Sequence, residues 1–324
     1  KSPGLVQMEA PELPPDPHRR ERDALHSLRV RLLRVSARTN PGLSSPADAP
    51  VVRRVLNRLG EVEKACFGPS VTPRSALDRA LEEVAASSAS STGGSCTMLI
   101  IGKTGVGKSS TINSLAGADE LAGTHALRPT TRKPQVIRRV VRGIDVKFID
   151  TPGLEPSAHA IHRNCAILAS IKRCVKLHPP DIVLYLDRLD SPVRGELGDL
   201  PLFRLISESL GRSMWINTVL CFTHASAASF DGASVGLTFD GYVEKRTRLV
   251  QRSVCAVVGN RALANPVCLV ENHADCARNR EGEPVLANGV MWKSQLVLIC
   301  FASKTLTEAN SVLRLGSGGS GEGG

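Results

Sequence analysis

The sequence predicts an α/β fold in which a mostly parallel sheet carries helices on both faces, preceded by a short helical segment. From residue 96 to residue 314, apolar runs of strand length alternate with amphipathic runs of helical length. Such alternation is typical of parallel sheets whose strands are joined by helical crossovers. The first apolar run leads into a glycine-rich loop and then into a helix-forming segment, from Thr97 to Leu115. A strand, a glycine loop and a helix in this order begin many phosphate-binding domains.

The chain before residue 96 reads as a lead-in and a helical preface. Residues 1 to 20 are rich in proline and charge, so we expect them to be extended. From residue 21 to residue 95, helices are expected around Leu25 to Val35, Val51 to Leu59 and Leu77 to Val84, because apolar residues recur there at helical spacing. A linker rich in Ser, Gly and Ala then completes this region.

The segment from residue 96 to residue 314 contains the predicted sheet. Its strands are expected at Thr97–Ile101, Gln135–Val141, Asp145–Asp150, Asp181–Leu186, Asn217–Phe222 and Val267–Val270. Its helices are expected to begin at Ser110 and to span Ala158–Leu177, Leu200–Leu210, Tyr242–Val258 and Trp292–Leu313. Residues 315 to 324 are almost entirely Gly, Ser and Glu, so we expect a flexible tail there.

Composition limits the classes of partner. The net charge is +10, with arginine in excess, which can indicate an anionic surface or a solvated helix face. Aromatic residues make up only 3% of the chain, which argues against a stacking surface for nucleic acid, and no nucleic-acid partner is expected. No apolar run reaches the roughly 18 residues of a transmembrane helix. Membrane attachment is therefore expected to come from sequence outside this chain.

The cysteines indicate a reducing compartment rather than a disulfide framework. The chain has nine of them, an odd number, and no two form a C-x-x-C pair. Cys268, His273 and Cys276 lie near one another in sequence but lack the paired spacing of a zinc site.

The glycine-rich loop from Gly102 to Ser109 reads G-x-x-x-x-G-K-S, which is the P-loop motif. Its glycines allow backbone N–H groups to turn inward around phosphate oxygens at the start of a helix. Lys108 is expected to reach the β- and γ-phosphates, and the Ser109 hydroxyl to ligate Mg²⁺. The motif therefore predicts a nucleoside triphosphate and its diphosphate as ligands.

Asp150-Thr151-Pro152-Gly153 follows the third predicted strand and reads D-x-x-G. At a strand end, this motif places a carboxylate near Mg²⁺ and a glycine N–H near the γ-phosphate. The loop from Leu121 to Arg132 lies where a first switch loop would cover the nucleotide, and either Thr130 or Thr131 can close on Mg²⁺. Leu154 occupies the position at which Ras-like enzymes carry a water-orienting glutamine, and leucine cannot do this.

The base-reading motif N-K-x-D does not occur downstream. Instead the chain reads Thr223-His224-Ala225 after one predicted strand and Glu271-Asn272-His273 after the next. These residues resemble those of the Toc GTPases, the preprotein receptors of the chloroplast outer envelope. Further similar stretches are Gly105–Ser114, Asp150–Leu154, Pro179–Asp190 and Ala287–Gly289, and those similar to the large-receptor branch are Leu200–Leu202, Arg280–Gly282, Trp292–Leu298 and Glu308–Asn310. The resemblance covers residues 50 to 314.

This resemblance implies specific roles. His224 would stack on guanine, Glu271 would accept hydrogen bonds from guanine N1–H and the exocyclic amine, and Asn272 would help fix the base edge. Arg194, or alternatively Arg188, would face the nucleotide of a second GTPase domain across a dimer interface. The implied cofactors are GTP or GDP with Mg²⁺. The implied partners are transit peptides, a related receptor GTPase and the import channel, at the cytosolic face of the chloroplast outer envelope.

Together, motif and resemblance give one set of site residues. The expected catalytic residues are Lys108, Asp150, Gly153 and Arg194, and the expected metal ligands are Ser109 and Asp150. The expected nucleotide-binding residues are Thr104, Gly105, Val106, Gly107, Lys108, Ser109, Ser110, Thr124, His125, Thr130, Thr131, His224, Glu271 and Asn272.

The sequence thus predicts a slow GTPase that acts as a receptor domain of the import machinery. The rival interpretation is a nucleotide-dependent assembly scaffold of the septin-like or immunity-associated type with little turnover. Leu154 keeps that alternative open.

Overall fold

A computed structural model describes residues 18–68, 73–86, 94–116, 131–191, 198–226 and 238–317. At its centre is a six-stranded sheet with the strand order β2-β3-β1-β4-β5-β6. The strands are β1 (Ser95–Gly102), β2 (Gln135–Val141), β3 (Ile144–Asp150), β4 (Ile182–Arg188), β5 (Thr218–Thr223) and β6 (Val267–Leu269). Five of them run parallel and β2 is antiparallel to β3, which confirms the predicted mostly parallel sheet.

The antiparallel edge arises from the short connection between β2 and β3. Arg142 and Gly143 have φ values of +50° and +73°, the left-handed conformation that a tight two-residue hairpin requires. The interior strands have almost wholly buried side chains, as in β4, where Ile182 and Leu184 are fully buried. Because both faces of these parallel strands are buried, nearly every position in them is apolar, and the strands appear in the sequence as continuous apolar runs.

The helices of this domain follow the strands in alternation. They are α4 (Lys108–Ala116), α5 (Ile161–Leu177), α6 (Leu200–Leu210), α7 (Phe239–Val258) and α8 (Trp292–Ser317). Several predicted boundaries were wrong. Helix α7 begins before Tyr242 because the Thr238 hydroxyl accepts from Gly241 N and caps an earlier turn. Residues 158–160 form a 3₁₀ turn before α5, and α8 continues through residues 315–317 of the predicted tail.

Three further helices precede the sheet, α1 (Arg19–Thr39), α2 (Pro50–Phe67) and α3 (Pro73–Ala86). Helix α1 therefore starts within the predicted extended lead-in. It packs on α8, α2 and α3, and its apolar side chains belong to the same continuous core as those of the sheet. Two ion pairs reinforce this packing. Arg29 donates a buried hydrogen bond to Glu63 of α2 at 3.1 Å, and Arg31 pairs with Glu308 of α8 at 2.8 Å. The predicted domain boundary at residue 96 stays a prediction.

Helix α8 is the one described helix that is long and apolar enough, by length and composition alone, to cross a membrane. The sequence prediction looked for an unbroken apolar run, and scattered Ser and Thr residues interrupt this one. They do not lower its mean hydropathy below that of a membrane-spanning helix, so the helix still passes the test. Half of the relevant window is buried inside the fold, with Trp292, Leu296 and Cys300 fully buried. A core helix passes the same test.

Candidate nucleotide-binding site

The predicted site residues converge at one edge of the sheet. The parallel strands β1, β3, β4 and β5 end beside one another: Ile100 pairs with Asp150, and Asp187 with Phe222. Ligands of open α/β sheets bind outside these carboxyl ends. The loops that leave this edge carry the P-loop, the D-x-x-G segment, His224 and Glu271.

The backbone of the P-loop depends on its glycines. Gly105 and Gly107 have φ values of +76° and +84°, which are strained for any residue with a Cβ. A Cβ on Gly102 would overlap the carbonyl oxygen of Leu186 in β4. Val106 is buried, and its carbonyl oxygen accepts from the Thr223 hydroxyl at 2.8 Å. The loop is therefore fixed to β4 and to the end of β5.

The Lys108 side chain lies inside this loop. Its Nζ donates to the carbonyl oxygens of Lys103 at 2.8 Å and Gly102 at 3.3 Å. Burial lowers the pKa of Lys108 to about 8, and the nearby Asp150 carboxylate opposes that shift. Phosphate oxygens would restore charge compensation to an ammonium held in this position. Ser110 lies in the first turn of α4, beside the loop.

Three oxygen-bearing side chains meet beside Lys108. The hydroxyls of Ser109 and Thr131 each donate to Asp150 Oδ2 at 2.8 Å, and the two hydroxyl oxygens are 3.2 Å apart. Asp150 is fully buried, and its Oδ1 has no hydrogen-bond partner within the described ranges. Hydroxyl and carboxylate oxygens are what Mg²⁺ prefers, so these residues fit the expected ion. Ser109 and Asp150 were predicted as metal ligands and stay predictions.

The structure also bears on the two candidate threonines of the first switch loop. Thr131 is buried and joins the Asp150 cluster, at the position from which a threonine can close on Mg²⁺. Thr130, Thr124 and His125 lie outside the described residues.

The segment after Asp150 is bonded directly to the P-loop. Leu154 N donates to Gly102 O at 3.1 Å, and Thr104 N donates to Leu154 O at 2.9 Å. A Cβ on Gly153 would lie only 2.5 Å from Thr104 Cα, so only glycine fits here. The Leu154 side chain is fully buried. It belongs to the hydrophobic core.

His224 and Glu271 follow β5 and β6, on the side of the site where a base would lie. His224 is half-buried, has a left-handed φ of +58°, and its Nδ1 lies 2.9 Å from the Thr223 hydroxyl. A left-handed histidine is uncommon, and such residues concentrate at functional sites. Burial, with a smaller effect from Arg188, lowers the pKa of His224. The ring is therefore neutral at pH 7 and can stack on an aromatic base.

Glu271 is buried, and two backbone donors hold its carboxylate. Ser226 N donates to Oε2 at 2.6 Å and His273 N donates to Oε1 at 2.9 Å. A carboxylate has lone pairs left after accepting two such bonds. It can therefore still accept from a base that presents two donors side by side.

Asn272 connects the base side to the phosphate side. Its Nδ2 donates to the Thr111 hydroxyl of α4 at 2.8 Å, and a Cβ on Gly107 would lie 3.3 Å from the same atom. Its Oδ1 is buried and has no hydrogen-bond partner among the residues that the structure describes. That oxygen is available to a ligand donor.

Of the two candidate arginines, the structure describes only Arg188. Arg188 forms two hydrogen bonds with Asp190, at 2.9 Å and 2.7 Å, and this pair interacts electrostatically with His224. Arg194 lies outside the described residues, so its proposed role stays a prediction. The cysteines are free thiols, and in the described ranges no group of three His, Cys, Asp or Glu side chains could hold a metal ion.

Several residues of the site had not been predicted. The backbone of Ser226, the hydroxyls of Thr111 and Thr223, and the side chain of Lys103 all support the groups described above. Only Lys103 has a sequence signal, because it is a second lysine within the P-loop motif.

Comparison with known proteins places this geometry in a family. The model of the AIG1 family matches residues 96–282. Translocase of chloroplast 108 from Physcomitrium patens is 44% identical over 301 residues, which are 91% of this chain and 30% of that protein. The chain thus spans less than a third of the length of that curated relative.

Solved structures agree. The crystal structure of Toc33 from Arabidopsis thaliana in complex with GDP and Mg²⁺ is 31% identical and covers 66% of this chain and 86% of its own, with a TM-score of 0.57. A second structure, 29% identical, covers 65% of this chain and 83% of its own with a TM-score of 0.56. That structure concerns the chloroplast translocon components atToc33 and psToc159, for whose GTPase activity dimerisation is important.

Proposed function

This chain belongs to the AIG1 family and, within it, to the Toc GTPases of the chloroplast translocon, and we propose that it is the GTP-binding and slowly hydrolysing domain of a preprotein receptor. The observation that carries the proposal is the meeting of Ser109, Thr131 and Asp150 beside the P-loop lysine. This is the oxygen cluster that a magnesium nucleotide requires.

The P-loop would hold the phosphates. The backbone of Thr104 to Ser110 would offer N–H groups to the phosphate oxygens, and Lys108 would supply the compensating charge. Bound Mg²⁺ would neutralise charge that develops between the β- and γ-phosphates. Ser109, Asp150 and Thr131 are the residues that would hold it. The hydrogen bonds between Leu154 and the P-loop hold the segment that contains Gly153 beside that loop. From there the Gly153 N–H would face the γ-phosphate.

Guanine would be read by the carboxylate of Glu271. Backbone donors hold its two oxygens in place, and these oxygens would accept hydrogen bonds from guanine N1–H and the exocyclic amine. Adenine lacks this pair of donors, so its binding would leave a buried carboxylate unpaired, at a cost of about 1–3 kcal/mol. Neutral His224 would stack on the ring and Asn272 would fix its edge.

Hydrolysis is expected to be slow in the monomer. A Ras-type site with its glutamine hydrolyses GTP at only about 10⁻⁴ s⁻¹, and an arginine finger adds about 10³–10⁵-fold. Leu154 is buried and cannot take the place of that glutamine. We therefore expect a partner domain to contribute, with Arg194 as the first candidate and Arg188 as the second.

The receptor role covers partners beyond the nucleotide. The relatives are chloroplast translocases, and for two of them dimerisation is important for GTPase activity, which supports a related receptor GTPase as partner. We propose in addition that the domain acts at the cytosolic face of the chloroplast outer envelope, with transit peptides and the import channel as further partners. Transit peptides are basic and this chain carries a net charge of +10. Bulk charge would oppose that binding, so a local acidic or apolar groove must supply the affinity.

The test has two parts. The nucleotide released from the purified protein should be GDP or GTP, and GTP should compete with labelled GDP far better than ATP does. Equal affinity for ATP and GTP would contradict the proposal. Single-turnover hydrolysis should rise with protein concentration, and Arg194→Ala should remove that rise. If wild type and variant show the same dimerisation and turnover at every concentration, the role of Arg194 is wrong.

The same measurement addresses the scaffold alternative. A scaffold would bind GTP and assemble, yet its turnover would not rise when a partner domain is added.

A further inference from the structure

The P-loop contains a second lysine, Lys103, whose side chain enters a cluster of charged groups of which two, Asp187 and Arg246, are buried. Its Nζ lies 3.2 Å from Asp187 Oδ1 and also bonds Asp199 Oδ2. Asp187 Oδ2 accepts from Arg246 at 2.7 Å. The side chains of Asp187 and Arg246 are 1% and 6% exposed. Two carboxylates and two cations thus form one compact, neutral network.

This network joins four parts of the molecule. Lys103 belongs to the P-loop, Asp187 to the end of β4, Asp199 to the turn before α6, and Arg246 to α7. A buried network of this kind is costly unless each charge is paired. Because each of its charges has an opposite charge within reach, it can hold the four segments in a single arrangement.

The backbone of Lys103 lies at the point where the phosphate-binding groups meet. Its carbonyl oxygen accepts from Lys108 Nζ at 2.8 Å, and the residue forms a parallel bridge with Leu154. The N–H of the next residue, Thr104, donates to the carbonyl oxygen of Leu154. A shift of Lys103 would therefore move Lys108 and the segment that carries Gly153 together.

We propose that Lys103 is a positioning residue, whose side-chain ion pairs behind the P-loop hold the phosphate-binding backbone and Lys108 in the geometry that binds a nucleoside diphosphate. The proposal rests on the proposed nucleotide-binding function. Among the residues that the structure describes, no side chain of the network forms a hydrogen bond or ion pair with the base-side residues; a main-chain link exists, because the carbonyl oxygen of Asp187 accepts from the Thr223 hydroxyl at 3.3 Å. Loss of the side-chain network should therefore weaken phosphate binding and leave the preference between bases unchanged.

The experiment titrates GDP and ADP with Mg²⁺ into the full chain by calorimetry. Lys103→Met should weaken GDP binding by roughly 10- to 100-fold, by analogy with the loss of affinity when an outer-shell partner of a metal ligand is removed. The ratio of GDP to ADP affinity should stay at the wild-type value. Lys103→Arg, which can still pair with both carboxylates, should recover most of the loss.

The matched control is Lys304→Met. Lys304 also forms two ion pairs, with Asp181 at 2.9 Å and Glu308 at 3.6 Å, and its side chain is 13% exposed, against 14% for Lys103. It lies beside Ser95, where β1 begins, at the opposite edge of the sheet. This variant should lose thermal stability comparably and bind GDP as the wild type does.

Asp199→Asn provides a second test should Lys103→Met fail to fold. It removes one partner of Lys103 while the pair with Asp187 remains, so a smaller loss of GDP affinity in the same direction is expected. The inference is overturned if neither variant weakens GDP binding, or if Lys304→Met weakens it as much. Failure of the wild type to bind GDP would instead contradict the proposed function.

Discussion

The two halves of the candidate site are built in different ways. The phosphate half is a continuous loop whose shape comes from glycine backbone and from hydrogen bonds to Leu154. The base half is assembled from the ends of two neighbouring strands, where Glu271 and His224 are held by a few local bonds. In the first half, main-chain N–H groups would bind the phosphates together with the Lys108 side chain. In the second half, side chains would bind the base, and main-chain N–H groups hold the Glu271 carboxylate in position.

This difference determines how each half should respond to substitution. Changes in the phosphate half should lower the affinity for every nucleotide, because all nucleotides present the same phosphates. Changes in the base half should alter the choice between guanine and adenine. Measuring both GDP and ADP for each variant is therefore the way to test the division.

The largest effect is expected from Lys108→Ala. Removing the buried ammonium would delete its charged hydrogen bond to the β-phosphate of GDP, worth about 1.5–3 kcal/mol, so GDP affinity should fall by roughly 10- to 150-fold. GTP, which adds the γ-phosphate, should lose more. ADP affinity should fall by a factor similar to that for GDP. Calorimetry would measure both, with the exposed Lys64→Ala as a charge-matched control. A folded Lys108→Ala protein with unchanged affinity would refute the P-loop interpretation.

A smaller and selective effect is expected from Glu271→Gln. The amide keeps the shape of the side chain but replaces one acceptor by a donor, which faces either the Ser226 or His273 N–H or a guanine N–H. GDP affinity should fall by roughly 10- to 100-fold, while ADP affinity should stay the same or rise. Competition binding gives both values. The exposed Glu281→Gln serves as the control, and an equal loss for GDP and ADP would contradict the division.

Gly153→Ala tests whether the close approach to the P-loop matters. The added Cβ would lie 2.5 Å from Thr104 Cα, so we expect destabilisation of about 1–3 kcal/mol and weaker binding of GDP and ADP alike. Gly42→Ala is the matched control, because a Cβ there meets nothing within 4 Å. Chemical denaturation measures the free energy of unfolding of both. Equal values for the two variants would show that the approach is looser than the structure indicates.

The smallest effect concerns pH. The free protein holds Lys108 with a pKa of about 8, against 10.5 for an exposed lysine, and bound phosphates should raise it. GDP binding should then take up a proton above pH 8, and affinity should fall roughly tenfold between pH 7 and pH 9. Calorimetry at pH 9 in two buffers of different ionisation enthalpy counts the protons. No uptake would mean that Lys108 is already charged before the nucleotide binds.

The same pKa has the opposite consequence for folding. Between pH 8 and 10.5 the unfolded chain binds a proton at Lys108 that the folded chain has released. The contribution of this lysine to the free energy of unfolding therefore rises with pH across that window.

The sequence predicted those features that depend on neighbouring residues. Gly105 and Gly107 could be identified because a P-loop needs two left-handed residues at fixed spacing, and Asp150 because it ends an apolar strand. The choice between Thr130 and Thr131 could not be made from adjacent positions. Only the fold brings Thr131 to the Asp150 carboxylate.

Residues that act across long sequence separations could not be predicted. Lys103 bonds Asp187 and Asp199, which lie 84 and 96 residues further along the chain. Asn272 bonds Thr111 over 161 residues. These contacts depend on the spatial order of the strands in the sheet. The sequence pattern predicts that strands and helices alternate along the chain, but it does not predict which strands are neighbours.

The packing of α1 against α8 has a consequence for how the chain can be shortened. The family model begins at residue 96, yet Leu25, Leu32 and Leu33 of α1 are fully buried in the same core as Leu296 of α8. A truncation at residue 96 would leave this flank of α8 in water, and exposed apolar surface of that kind promotes aggregation. The smallest fragment that folds autonomously should therefore begin at α1.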